Sequence, residues 1–179
     1  MRLYASTLAP CAAAKDVSAA ARALLAYAVR EHWGIALPEI IVLPGGKPCF
    51  AGTQGKYFSI SHSKAHILVG ISRHDIGVDI EEHRALRPGL FERLFSPEMR
   101  SCFSFWEGWC AREAIFKLTG RGSIMTMELR RKGDLVTGPY EGAVCRFYDS
   151  IPGCTVAAAS AEDEFCGDIT IVPASDFLP

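Results

Sequence analysis

A helix followed by several strands occurs twice along this chain, and that repeated order restricts the fold more than any single residue does. The run VSAAARALLAYAVREHW places Val17, Ala21, Leu24 and Ala28 on one helical face, with Asp16 or Ser18 as the N-cap and an end before Gly34 and Pro38. IIVL (Ile40 to Leu43) reads as a strand feeding the turn-rich PGGKP, and YFSIS (Tyr57 to Ser61) as another extended piece. HILVGIS and IGVDIE, separated by Arg73, His74 and Asp75, are expected to form a hairpin. The second round opens with Ser96, Pro97 and Glu98, a helix start with a capping serine, a proline at the first position and an acid near the positive dipole end. A longer helix over Trp106 to Leu118 stops at Gly120, and AVCRFYDS, CTVAAASA and DITIVPA supply three strands. The expected class is α+β, a pseudo-dimer of two similar halves, roughly 1–75 and 76–179, within one domain, because no linker composition separates them.

Composition supports a globular interior: the chain has 179 residues, of which 49% are apolar. A formal net charge of -1 argues against a general nucleic-acid binder and leaves room for a local basic patch. Seven cysteines form an odd set without C-x-x-C pairs, which suits neither a disulfide framework nor a zinc ribbon, so reduced thiols are expected. The opening LYASTLAPCAAA imitates a leader, but Ser6, Thr7 and Pro10 interrupt its apolar run. No stretch approaches the roughly 18 apolar residues of a membrane span. A cytoplasmic protein that binds neither membrane nor nucleic acid is expected.

The chemistry concentrates in three short stretches. In GVDIEEHR, side chains alternate along a strand, so Asp79 and Glu81 point to one side and Val78 and Ile80 to the other. Taken alone, that D-x-E is most simply a strand end turning polar. In WCAREAIFK, Glu113 and Lys117 are one helical turn apart, a spacing that more often makes a surface ion pair. Together, Asp79, Glu81 and Glu113 make a hard oxygen set suited to a magnesium ion that keeps some waters and takes other ligands from a phosphate. Lys117 would meet the same phosphate as a point charge. FSISHS and the upstream Lys47 add Ser61, His62 and Lys47 as phosphate donors. His62 and His66 lack the intervening acid of a zinc-protease helix, and no G-x-S-x-G elbow marks a serine hydrolase.

With these residues in hand, the chain resembles a 4′-phosphopantetheinyl transferase of the Sfp type. The resemblance rests on GKPCF (Gly46 to Phe50), FSISHS (Phe58 to Ser63), IGVDIE (Ile76 to Glu81), LFSPE (Leu94 to Glu98) and WCAREAIFK (Trp109 to Lys117), in that order. It implies two α+β halves with coenzyme A in the cleft between them, and transfer of its 4′-phosphopantetheine arm to a serine of an apo acyl or peptidyl carrier protein, releasing 3′,5′-ADP. It implies Mg²⁺ held by Asp79, Glu81 and Glu113, phosphate contact by Lys117, and the nucleotide 3′-phosphate met by His62. Ser61 and Lys47 would line that end of the cleft, Arg22 on the first helix would add a basic group, and Glu98 would touch a metal-bound water or act as base beside Glu113. The carriers served by such enzymes belong to fatty acid, polyketide or nonribosomal peptide biosynthesis.

Two departures stand out. Arg112 occupies a position where the family usually has Lys, and a planar fork differs from a compact charge in how it would meet phosphate or carrier. The segment before the first helix is short for an Sfp-type member and leaves Lys15 as its one basic residue after Arg2. The trimeric holo-acyl-carrier-protein synthase type places its acidic motif near the amino terminus, whereas Asp79 here follows a full leading half, so a monomer is expected. A carrier would dock on a cationic and apolar patch, with Arg93, Arg100 and Met99 as candidates. The competing readings are a coenzyme A-binding module without chemistry, against which all three metal carboxylates are present, and a Mg²⁺-dependent phosphohydrolase, for which the sequence offers no other hydrolase motif.

Overall fold

A computed structural model describes residues 1–9 and 13–178. Cys11, among the thiols counted above, lies outside the described residues; the other six cysteines form no disulfide. The chain runs β1 (Arg2–Thr7), α1 (Ala14–Trp33), β2 (Ile40–Val42), β3 (Pro48–Phe50), β4 (Tyr57–Ser63), β5 (His66–Ser72) and β6 (Ile76–Glu82). It continues through α2 (Leu90–Leu94), α3 (Pro97–Cys102), α4 (Phe105–Thr119), β7 (Arg130–Lys132), β8 (Leu135–Thr137), β9 (Val144–Tyr148), β10 (Cys154–Ser160) and β11 (Ile169–Ile171). The mixed α+β class read from the sequence holds.

Two larger sheets result, in strand orders β11-β1-β5-β4 and β6-β10-β9-β8-β7, with β2 and β3 as a separate pair. Helix α1 covers the first sheet through Val17, Ala21, Leu24 and Ala28, all buried as the periodicity predicts, joined by Ala20, Leu25 and Val29. Its N-cap is Ala13, without a side-chain bond, rather than Asp16 or Ser18. Helix α4 packs on the second sheet, and its start at Ser104 is a complete capping box with Glu107. The carboxy-terminal β11 returns to lie parallel to β1, so the first sheet draws strands from both ends of the chain.

The expected hairpin of β5 and β6 does not form. β5 pairs with β1 and β4, while β6 pairs with β10, so the Arg73–Asp75 turn carries the chain from one sheet to the other. The reason lies in the side chains. β6 is buried along most of its length, so it needs cover on both faces, which the first sheet supplies on one and α4 on the other. Val78 and Ile80 join Leu3, Ala5 and Leu68 of the first sheet and Val156 and Ala158 of β10 in one shared core. Gly70 makes that approach possible, because a Cβ there would lie 2.7 Å from the Val78 side chain.

Where β4 meets β6, serine side chains replace the missing ladder. Ser59 Oγ accepts from Val78 N–H (3.0 Å), Ser61 Oγ donates to Asp79, and Ser63 Oγ accepts from Glu82 N–H (3.1 Å). The alternation of FSISHS thus turns each second residue toward the other sheet, three hydroxyls in a row.

The opposite face of β6 receives α4. A Cβ at Gly77 would collide with the Ala114 carbonyl oxygen and lie 2.5 Å from Leu118 N, so glycine is what lets helix and strand touch. On the far side of α4, Arg112 is fully buried. Its Nε donates to Met127 O (2.6 Å), and Nη1 donates to Leu94 O and Met125 O. Its guanidinium lies over the Phe95 ring, 4.2 Å from the centroid. The sequence expectation that Arg112 stands near a phosphate or a carrier is therefore corrected: one residue from Glu113 is about 100° around a helix, and that rotation aims Arg112 into the core.

Gly77→Ala is expected to destabilise by about 3 kcal/mol, the upper end of ordinary overpacking, because backbone rather than a flexible side chain must yield. The denaturant midpoint measures it. Arg112→Lys is expected to cost about 2 kcal/mol or more, since an ammonium cannot span the three carbonyls that the guanidinium fork reaches. An unchanged midpoint for Arg112→Lys would contradict that role.

Candidate active site

Asp79 is 4% exposed, and both of its carboxylate oxygens are engaged. Oδ1 accepts from Ser61 Oγ (2.7 Å) on β4 and from Lys117 Nζ (2.8 Å) on α4. Oδ2 accepts from the Cys110 thiol (3.1 Å), also on α4. Lys117 uses its remaining donors on Ser61 Oγ (3.0 Å) and Val78 O (3.1 Å). The simple reading of Glu113 and Lys117 as a surface ion pair is thus replaced: the lysine reaches inward to Asp79. Burial and the Asp79 carboxylate push the Cys110 thiol well above its ordinary value, so it remains an S–H donor.

Glu81 follows on the same side of β6. Its Oε2 accepts from Ser63 Oγ (2.9 Å), with Arg84 3.5 Å away and more than half exposed. Glu113 is half-buried on α4, and among the described residues it makes no hydrogen bond or ion pair. Burial pushes its carboxyl up, the Asp79 and Glu81 charges push in the same direction, and Lys117 opposes them. The three predicted acids therefore share one electrostatic environment. Glu98 stands apart, exposed in the first turn of α3, whose start at Ser96 and Pro97 is as the sequence predicts.

The predicted basic residues divide. Lys47 donates to Leu118 O (3.0 Å) and pairs with Asp75. Lys47 and Lys117 line a cavity of about 280 Å³, bounded by Gly45, Gly46, Phe58, Ile60 and Phe116, between the turn after β2, strand β4 and the end of α4. His62 lies exposed on β4 and Arg22 exposed on α1, neither with a bonded partner among the described residues. Ser61 is 7% exposed and joins Asp79 to Lys117 rather than facing the cavity as an open donor. Met99 is 1% exposed in the second core and Arg100 is half-buried, so of the three expected docking residues only Arg93 is exposed.

Two residues around the acids were not singled out from the sequence: Ser63 on Glu81 and Cys110 on Asp79. The phase of the strand, which puts Ser61 and Ser63 on one face, was the available signal for the first. Among the described residues, no three His, Cys, Asp or Glu side chains are arranged as a cage for a metal ion. The donor chemistry nonetheless fits Mg²⁺, which takes one or two carboxylates and completes its shell with water and phosphate oxygens.

Because the folded-state pKa of Glu113 lies above its unfolded value, stability is fully present below the unfolded value and falls as pH rises through the folded one. Glu113→Gln removes this dependence. It is expected to match the parent protein in thermal midpoint at acid pH and to exceed it by a few degrees at neutral pH; a lower midpoint at neutral pH would show that the carboxylate stabilises the fold.

A sequence model of the 4′-phosphopantetheinyl transferase superfamily matches residues 75–150, from the start of β6 to the end of β9. The chain is 29% identical over 145 residues to the 4′-phosphopantetheinyl transferase ffp of Bacillus subtilis, covering 71% of this chain and 65% of that protein. It is 26% identical over 151 residues to the 4′-phosphopantetheinyl transferase Sfp of Bacillus subtilis (strain 168), covering 74% and 67%. It is 40% identical over 177 residues to the uncharacterized protein YieE of Escherichia coli (strain K12), covering 89% and 67%. The chain thus spans about two thirds of the length of these relatives. With the matched region carrying Asp79, Glu81, Glu113 and Lys117, the chain belongs to the 4′-phosphopantetheinyl transferase superfamily.

Proposed function

We propose that this chain transfers the 4′-phosphopantetheine arm of coenzyme A to a serine hydroxyl of an apo acyl or peptidyl carrier protein, releasing 3′,5′-ADP. The observation that carries the reading is the grouping of acids: Asp79 and Glu81 on one side of β6 with half-buried Glu113 on α4, whose carboxyl is pushed up by burial first and then by those two charges, Lys117 opposing. Lys117, paired with Asp79, joins this acid group to the cavity that it lines with Lys47. Acids with a surplus of negative charge next to a lysine-lined cavity suit a divalent cation and a pyrophosphate together.

Asp79, Glu81 and Glu113 would hold Mg²⁺, which when bound offsets charge on the pyrophosphate and on the departing nucleotide. Lys117 and Lys47 orient the phosphates from the cavity wall. His62 and Arg22, exposed and free of bonded partners among the described residues, are the groups for the nucleotide phosphates, with Ser61 fixing Lys117. The carrier serine Oγ bonds to the phosphopantetheine phosphorus, the bond from that phosphorus to the bridging oxygen of 3′,5′-ADP breaks, and the serine proton passes to a carboxylate and then to solvent. Glu113, half-buried and without a bonded partner among the described residues, is the preferred base; exposed Glu98 is the second candidate.

The same proposal takes the chain as a monomer and the fold as two similar halves, the latter supported by one long helix on each larger sheet. For the carrier, a groove of about 420 Å³ beside Glu81 combines Arg84, Arg87 and Arg93 with Leu90 and Trp106, chemistry that suits an acidic, partly apolar helix. No helix among the described residues is long and apolar enough to cross a membrane. The carrier's pathway, whether fatty acid, polyketide or nonribosomal peptide biosynthesis, is decided by assay.

Mass spectrometry of a panel of apo carriers incubated with the protein, coenzyme A and Mg²⁺ tests the reading. At least one carrier is expected to gain the phosphopantetheine mass, with the gain lost for Glu113→Gln. Binding of coenzyme A without transfer to any carrier would favour a binding module, and release of phosphate products without a carrier would favour a phosphohydrolase.

A further inference from the structure

Two acids of β6 accept from a hydroxyl and a thiol that the functional reading leaves without a task. Ser63 Oγ, on β4 of the first sheet, donates to Glu81 Oε2 at 2.9 Å and accepts from Glu82 N–H at 3.1 Å. Having an N–H to accept from, the hydroxyl must direct its own hydrogen elsewhere, and the carboxylate is where it goes. Cys110, on α4, donates its thiol hydrogen to Asp79 Oδ2 at 3.1 Å, with Thr155 O of β10 at 3.2 Å as an alternative acceptor. Both are enclosed: Ser63 is 7% exposed and Cys110 0%. The two contacts reach β6 from opposite partners, one across the sheet junction and one from the helix.

We infer that Ser63 and Cys110 are positioning residues that fix the carboxylate orientations of Glu81 and Asp79, so that the geometry of cation binding is set jointly by the first sheet and by α4. This rests on the reading of those acids as the Mg²⁺ ligands. A carboxylate free to rotate about its last torsion presents its lone pairs in many directions; Ser63 restrains Glu81 through Oε2, and Cys110 adds a hold on Oδ2 of Asp79, whose Oδ1 already accepts from Ser61 and Lys117. Partners of this kind behind metal ligands commonly set affinity by 10–100-fold. Thiol and hydroxyl are weak acids, so they orient the carboxylate without neutralising it, and the charge available to a cation is kept.

The fold supplies its own control. Ser59 makes the same kind of junction bond, accepting from Val78 N–H at 3.0 Å, and touches no acid. If the serines merely join the sheets, Ser59→Ala and Ser63→Ala should behave alike. The experiment is calorimetric titration of Mg²⁺ into the protein with coenzyme A present, alongside thermal unfolding. Ser63→Ala and Cys110→Ala are expected to weaken Mg²⁺ binding by about 10-fold each. Ser63→Thr and Cys110→Ser, which keep a donor, are expected to stay within about 3-fold of the parent protein, well short of that loss. Ser59→Ala is expected to lower the thermal midpoint with unchanged Mg²⁺ affinity. In carrier modification, Ser63→Ala is expected to raise the Mg²⁺ concentration for half-maximal rate while leaving the rate at saturating Mg²⁺ nearly unchanged.

The inference is overturned if folded Ser63→Ala and Cys110→Ala bind Mg²⁺ as tightly as the parent protein, or if Ser59→Ala weakens binding as much as they do. If Cys110→Ala does not fold, the comparison of Ser63→Ala with Ser63→Thr and Ser59→Ala decides. A parent protein that shows no saturable Mg²⁺ binding overturns the reading of the acids as ligands and this inference with it, a result distinct from equal binding by all variants.

Discussion

A carboxylate in the interior has to be answered by donors, and the answer to Asp79 organises this molecule. An unpaired buried charge is costly enough that a chain either neutralises it or surrounds it with partners. Here the partners come from two elements besides the strand itself: Ser61 from β4, Lys117 and Cys110 from α4. None of these elements is adjacent to β6 in sequence, so the carboxylate can be satisfied only when the two sheets and the helix have met. Lys117 does more than pair, because its other protons go to Ser61 and to the Val78 carbonyl, closing a small network in which each member holds another in place. The glycine at 77 belongs to the same arrangement, since α4 reaches Asp79 only by resting directly on the β6 backbone.

The periodicities that needed no partner were legible. The buried face of α1, the span of α4 up to its left-handed Gly120 cap, and the alternation of β6 all follow from spacing within one segment. What the sequence could not supply was which segments lie side by side. β5 and β6 look like a hairpin because each is apolar and a short turn divides them, yet burial on both faces of β6 sends it to a second sheet. The short pair β7 and β8, turning at Gly133, went unseen because Arg130–Lys132 is exposed throughout and carries no alternation to read.

The candidate site divides along the same line. Asp79, Glu81, Glu113 and Lys117 were found from their type and from motif order, and the structure brings them into one electrostatic neighbourhood. Strand phase places Ser63 on the face of Ser61, but its bond to Glu81 depends on the register between sheets and that of Cys110 on the roll of α4, which no local pattern carries. Arg112 departs from expectation for the converse reason: its charge and its place beside Glu113 suggest function, but a guanidinium that reaches three backbone carbonyls is a packing element. A cation's neighbour in sequence is a poor guide on a helix, where the residue four further on shares the face.

That contrast bears on how a family site can tolerate change. The position of Arg112 faces a core in which any long donor must be satisfied by carbonyls from α2 and from the loop before β7, so its identity is tied to how that loop folds. The position of Lys117 faces the acids, where charge itself is needed: burial, and then the Asp79 and Glu81 carboxylates, leave Glu113 holding a proton more firmly than usual, and Lys117 is what opposes them. Any substitution that removes positive charge at 117 would raise the Glu113 carboxyl further and strand Asp79 with only neutral donors. The two cations of α4 thus sit on opposite faces of one helix with opposite duties, one replaceable wherever its carbonyls find other partners, the other fixed by the electrostatics of the strand it answers.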